Sequence, residues 1–75
     1  MSAGKIYPLD GRPLTCQLIS ELIGMFRVSH GCEPIAVRAN PMTKRGESIP
    51  KTVEGVPVLP NGSVSADEVF LVERY

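Results

Sequence analysis

LTCQLISELIGMFRVSHG, residues 14–31, is the clearest amphipathic pattern in the chain and decides its fold. Its apolar side chains recur at helical spacing and form one stripe, made of Leu14, Leu18, Ile19, Leu22, Ile23, Met25 and Phe26. This spacing predicts a helix over about Thr15 to Ser29 with one buried face. Thr15 suits the N-cap position, and Leu14 and Ile19 suit the two positions of a hydrophobic staple. Gly31 suits the left-handed residue that ends many helices.

Short apolar runs outside the helix predict the strands. Lys5–Leu9 is expected at a sheet edge, because Pro8 has no backbone N–H to donate to a central ladder. Ile35–Arg38 alternates apolar and polar residues, which is typical of a strand. Val56–Leu59 is also expected to pair at an edge, and Pro60–Ser63 is expected to form a β-turn.

The C-terminal segment Glu68–Tyr75 allows two interpretations. Its β-branched and aromatic residues favour a strand, and the four consecutive apolar residues Val69–Val72 suggest that both faces of this strand are covered. Ser65–Glu68 also matches a helix capping box, which would make the tail helical. The strand is the favoured prediction.

Together these patterns predict an α+β fold, with one amphipathic helix packed on a small, mainly antiparallel sheet of three or four strands. Residues 1–75 are expected to form a single small domain with a long Pro/Gly-rich basic loop at about 39–55. The predicted core combines the helix stripe with one face of the sheet: Leu18, Ile19, Leu22, Ile23, Phe26, Ile35, Val37, Val58, Val69, Phe70 and Leu71.

Composition limits the classes of function. Eight basic and eight acidic residues give a formal net charge of zero, whereas dedicated nucleic-acid binders usually carry a basic excess. No leader peptide or membrane span is expected, so the chain is predicted to be cytoplasmic, with its two cysteines reduced. A domain of 75 residues has a marginal core, which raises the expectation of a binding partner.

The residues able to carry chemistry are few and far apart. Cys16, His30 and Cys32 are too few for a closed zinc site, and no metal or cofactor is predicted. Cys16 lies in the first turn of the predicted helix, where the helix dipole is expected to lower its pKa. His30 lies at the other end of that helix, about 21 Å away at 1.5 Å per residue, so a Cys–His dyad is excluded. We therefore expect a protein that is not an enzyme.

The middle of the chain carries a cluster of positive charge. Residues 38–51 contain one acidic residue, Glu47, and four basic residues, Arg38, Lys44, Arg45 and Lys51. These four cations are the predicted partner-binding residues, because long loops are common sites of protein recognition. The segment lacks an aromatic residue for base stacking. A solvated loop without a binding role is the other interpretation of the same residues.

The leading functional hypothesis is a small non-catalytic protein-binding module: a regulator, inhibitor or accessory subunit that acts by surface contact with a protein partner. The alternative is a nucleic-acid-binding regulator that uses the basic loop 38–51 on phosphates. Few strands leave an open sheet edge, so a homodimer formed through that edge or through the helix face is also expected. No contact with a membrane is predicted.

Overall fold

The computed structural model describes residues 4–73 and contains, in that range, one helix and five strands. In chain order the elements are β1 (Gly4–Pro8), α1 (Cys16–His30), β2 (Ala36–Ala39), β3 (Thr52–Val53), β4 (Val56–Pro60) and β5 (Glu68–Val72). The sheet order is β1-β5-β2-β4-β3, with β2 and β4 parallel and the other neighbours antiparallel. The α+β class is confirmed, but the sheet is mixed and has five strands instead of three or four.

The caps of α1 are those that the sequence predicted. The backbone N–H of Leu18 donates to the Thr15 hydroxyl at 3.1 Å, which satisfies one orphan donor of the first turn. Gly31 adopts a left-handed conformation with φ 72°, and its N–H donates to the carbonyl of Arg27 at 2.8 Å. The helix therefore begins and ends at local signals.

One face of α1 packs on one face of the sheet. The buried helix residues are Leu18, Ile19, Leu22, Ile23 and Phe26, and the strands bury Val37, Val69 and Leu71 against them. Val58, predicted in the core, is half-buried against this cluster. Met25 was expected in the buried stripe but is 52% exposed. Ile35, also predicted in the core, is 40% exposed and lies just before β2.

The predicted core left out six residues that belong to the buried cluster: Tyr7, Leu9, Leu14, Ala39, Val53 and Val56. Val53 belongs to β3, a strand of two residues that is too short to show an alternating pattern. Leu14 belonged to the predicted apolar stripe but not to the predicted core, and it is fully buried just before the helix begins. The hydrophobic core therefore extends beyond the elements that the sequence pattern reveals.

The tail forms a strand, as favoured, but only one of its faces is covered. β5 lies between β1 and β2, with Val69 and Leu71 buried under the helix and Phe70 and Val72 half-buried on the other face. The expectation that both faces are covered is therefore wrong. The Ser65–Glu68 segment forms a turn in which the N–H of Glu68 donates to the carbonyl of Ser65 at 3.1 Å. Residues 74–75 of the predicted strand lie outside the described part of the chain.

Two details of strand placement also differ. β1 lies at a sheet edge, as predicted, but β4 is an inner strand between β2 and β3. Its prolines are tolerated there because Pro57 precedes the residues that pair with β2, and Pro60 follows the residues that pair with β3. The turn after β4 is shifted by one residue, since the N–H of Val64 donates to the carbonyl of Asn61 at 3.2 Å.

Candidate functional site

The segment between β2 and β3, residues 40–51, is hydrogen-bonded to the rest of the domain. The N–H of Leu14 donates to the carbonyl of Lys44 at 2.8 Å, and the N–H of Gly46 donates back to Leu14 at 3.0 Å. Near the end of the segment, the N–H of Val58 donates to the carbonyl of Lys51 at 2.8 Å. The cations of this segment are therefore carried on backbone that is anchored to the helix entry and to the sheet.

The four cations predicted to bind a partner lie in two different places. Arg45 and Lys51 are both exposed and line one groove beside the sheet. Lys44 is exposed on the same segment but does not line that groove. Arg38 lies in β2 and is half-buried on the sheet face opposite the helix. The structure therefore brings Arg45 and Lys51 together and places Arg38 in a different surface.

The groove, here named the loop groove, has a volume of about 250 Å³. Its lining is apolar apart from the two cations and consists of Ala39, Arg45, Ile49, Pro50, Lys51, Val58, Leu59 and Pro60. Ligand pockets for small molecules usually run from about 300 to 1,000 Å³, so the loop groove is smaller than a typical cofactor site. Its size and lining suit one or two apolar side chains of a partner, with an acidic group nearby.

Glu47, the single acidic residue of the segment, is bound at the start of the helix and does not line the loop groove. Its carboxylate accepts a hydrogen bond from the backbone N–H of Cys16 at 3.3 Å, at the N-terminus of α1. A negative charge is favourable there because the N-terminal end of a helix is electropositive. Among residues 4–73, no ion pair involves Lys44, Arg45 or Lys51. Their charges are therefore available to an external group.

The same carboxylate changes the chemistry of Cys16. Its hydrogen bond to the thiol raises the pKa of Cys16, and partial burial and the negative charge of Glu47 raise it further. The expectation that this pKa is lowered at the helix N-terminus is wrong, because the effects of Glu47 outweigh the backbone hydrogen bond of Cys16, which lowers the pKa. A thiol with a raised pKa is a poor nucleophile at neutral pH, since the thiolate is the reactive form.

The other candidate chemical groups are also engaged in structural contacts or separated. Cys16 begins α1 and His30 ends it, and the His30 ring stacks on Phe26 with centroids 3.9 Å apart and planes 5° from parallel. Arg27 at the end of the helix forms ion pairs with Glu33 at 2.5 Å and Glu54 at 3.2 Å. In the described part of the chain, no group of three His, Cys, Asp or Glu side chains could hold a metal ion.

A second surface, the open sheet face, was not found by sequence reasoning. The register places Ile6, Arg38, Leu59, Glu68, Phe70 and Val72 on the side of the sheet opposite α1. Ile6 is 54% exposed and Leu59 is 41% exposed. Burial alternates along β5, but the sequence does not show this because Val69–Val72 are four consecutive apolar residues.

Comparison with known proteins yields no relative from which a function can be transferred. No family model matches the chain, and neither the curated proteins nor the solved structures contain a significant match. Within residues 4–73, no helix combines the length and the apolar character needed to cross a bilayer.

Proposed function

We propose that the protein is a non-catalytic protein-binding module, a small regulator, inhibitor or accessory subunit, that contacts a protein partner through the loop groove. The observation that carries this proposal is the position of Glu47. Because its carboxylate is held at the N-terminus of α1, Arg45 and Lys51 face solvent beside an apolar floor without an internal counter-charge.

The lining of the loop groove favours a peptide segment as the ligand. Ile49 and Val58 line the groove and pack against the core but are only partly buried, so the floor offers apolar area that a partner side chain can cover. Cations at the rim of such a surface direct the approach of an acidic segment and exclude a basic one. The matching partner presents an aliphatic or aromatic side chain next to Asp or Glu.

A nucleic-acid ligand fits the groove less well. Among the described residues that line it, none is aromatic, and single-stranded nucleic acid is usually bound by stacking bases on aromatic rings. Two lining cations also make few phosphate contacts, whereas phosphate contacts supply most of the non-specific affinity for nucleic acid. Nucleic-acid binding is therefore the less favoured function, and nuclease treatment distinguishes it from protein binding.

The test is affinity purification from native lysate with mass spectrometry, with and without nuclease, on folded variants. Lys51→Glu and Arg45→Glu reverse a charge in the loop groove, and Lys5→Glu reverses the charge of an exposed lysine on β1 as the matched control. We expect a protein partner that wild type and Lys5→Glu retain, that both groove variants lose, and that nuclease does not release. Partners retained by both groove variants would contradict the proposal, and partners released by nuclease would favour the nucleic-acid alternative.

A further inference from the structure

The open sheet face carries two opposite charges on adjacent strands. Arg38 of β2 is paired in register with Phe70 of β5, and Glu68 lies two residues before Phe70 on the same face. Diagonal neighbours of this kind have Cα atoms about 7–8 Å apart. Both charged side chains belong to half-buried residues, and in the described range neither forms an ion pair.

The guanidinium of Arg38 also lacks a full set of hydrogen bonds. Its Nε atom is buried and has no hydrogen-bond acceptor among residues 4–73. Its neighbours in the sheet are Phe70 on one side and Leu59 on the other. Arg38 is half-buried, so covering it with an uncharged surface would be unfavourable, and an occupant that brings an anionic group to it is favoured.

We propose that the open sheet face binds a second copy of this chain, and that Arg38 of each copy pairs with Glu68 of the other. Charge complementarity favours this occupant, because one face carries both members of the ion pair. In a two-fold dimer every contact occurs twice, so a single cation and a single carboxylate on one face form two reciprocal ion pairs. The inference does not depend on the loop groove.

The register allows this arrangement geometrically. Consider a two-fold axis that runs between the two sheets and parallel to them. If it crosses the line from Arg38 to Glu68 at its midpoint and at a right angle, each Arg38 lies opposite Glu68 of the second copy. With ideal strand spacing, Phe70 lies close to the same axis, so the two Phe70 rings meet at the centre of the interface. Because the line from Arg38 to Glu68 is diagonal, the strands of the two copies cross steeply, as in orthogonal sheet packing.

The size of the face sets the expected affinity. Five strands about 4.8 Å apart span roughly 20 Å, and strands of five residues span roughly 17 Å. The contact area is therefore on the order of a few hundred Å² per copy, below the roughly 800 Å² of a standard interface. We expect a weak, reversible dimer that forms at about 100 μM and above.

The test is sedimentation equilibrium of wild type, Arg38→Glu, Glu68→Arg, the double variant and an equimolar mixture of the two single variants. Each single variant places like charges opposite each other and is expected to remain monomeric. The mixture restores both ion pairs in a heterodimer, and the double variant restores them in a homodimer. Lys44→Glu, on the exposed loop, is the control and is expected to associate like wild type.

The possible outcomes separate the alternatives. A wild-type chain that stays monomeric at about 500 μM overturns the proposal, and so does a dimer that neither charge reversal weakens. Monomeric single variants whose mixture does not associate indicate an ion pair within one copy, or a different acidic partner, and also overturn it. If a variant fails to fold by circular dichroism, NMR shifts of wild type on dilution decide: changes at Ile6 and Phe70 support the proposal, and changes confined to the loop groove overturn it.

Discussion

Leu14 connects the helix entry to the basic segment, and its truncation is the most informative test of the fold. The side chain is completely buried, while its backbone N–H and carbonyl are hydrogen-bonded to Lys44 and Gly46. Leu14→Ala keeps these backbone bonds and removes the side chain. Buried Leu→Ala changes cost about 2–5 kcal/mol, and we expect about 3 kcal/mol here because no part of the side chain is exposed.

This cost is large for a domain of this size. At roughly 0.05–0.15 kcal/mol per residue, 75 residues correspond to an unfolding free energy of about 4–11 kcal/mol. A loss of 3 kcal/mol lowers the Tm by roughly 12–24 °C in a domain of this length. The assay is urea unfolding followed by far-UV circular dichroism, in which the midpoint falls and the slope m stays unchanged.

The matched control is Met42→Ala, which shortens an apolar side chain that is 84% exposed in the segment joined to Leu14. We expect the control to change the unfolding free energy by less than about 0.5 kcal/mol. A Leu14→Ala cost below about 1 kcal/mol would refute the reasoning, because it would mean that Leu14 is not enclosed by the core. A cost equal to that of Met42→Ala would lead to the same conclusion.

Further predictions concern the helix and its ends. Gly24→Ala should stabilise the domain by about 0.5–1 kcal/mol, since a Cβ at residue 24 meets no atom within 4 Å. Gly31→Ala should destabilise it by about 1–2 kcal/mol, because φ at residue 31 is 72°. Urea unfolding measures both changes in unfolding free energy, and changes of the same sign would contradict the prediction. Thr15→Ala should lower the unfolding free energy by about 1 kcal/mol, and Thr15→Ser should lower it much less, as measured by thermal unfolding. Equal losses of stability in the two variants would show that the Thr15 hydroxyl does not cap the helix. Glu47→Gln should lower the pH midpoint of Cys16 alkylation, because Glu47 raises the pKa of the thiol and keeps it protonated to higher pH in wild type. An unchanged midpoint would show that Glu47 does not raise this pKa.

The helix was predictable because its determinants are local. Each helical hydrogen bond joins residues four apart, so the apolar period, the Thr15 cap and the Gly31 cap all lie within one short segment. Met25 was wrongly predicted to be buried, because the sequence does not show how much of the helix surface the sheet covers. Local signals therefore determine that a helix forms, and packing determines which of its marginal positions are buried.

The sheet was only partly predictable because its pairing is non-local. The strand over Glu68–Val72 could be recognised from its residue types, but its central place depends on contacts with β1 and β2, which are distant in the chain. The parallel pairing of β2 with β4 joins segments separated by the whole basic loop. Neither register nor strand order is written in the spacing of apolar residues within one strand.

The candidate sites divide in the same way. The sequence shows that residues 38–51 carry a cluster of cations, but only the folded chain binds Glu47 to the N-terminus of α1 and brings Arg45 and Lys51 into one groove. Arg38 belongs to the same cluster in sequence and to a different surface in space. The role of these cations in binding a partner stays a prediction.

By itself, the sequence determined one capped amphipathic helix, a strand-forming tail and the location of the positive charge, since each depends on residues close together in the chain. Tertiary structure decided the strand order, the loop groove and the open sheet face. The physical reason is that alternation along a strand such as β5 only separates its residues into two sets. Which set is covered depends on where α1 packs, and this packing leaves Arg38, Glu68 and Phe70 on the uncovered side.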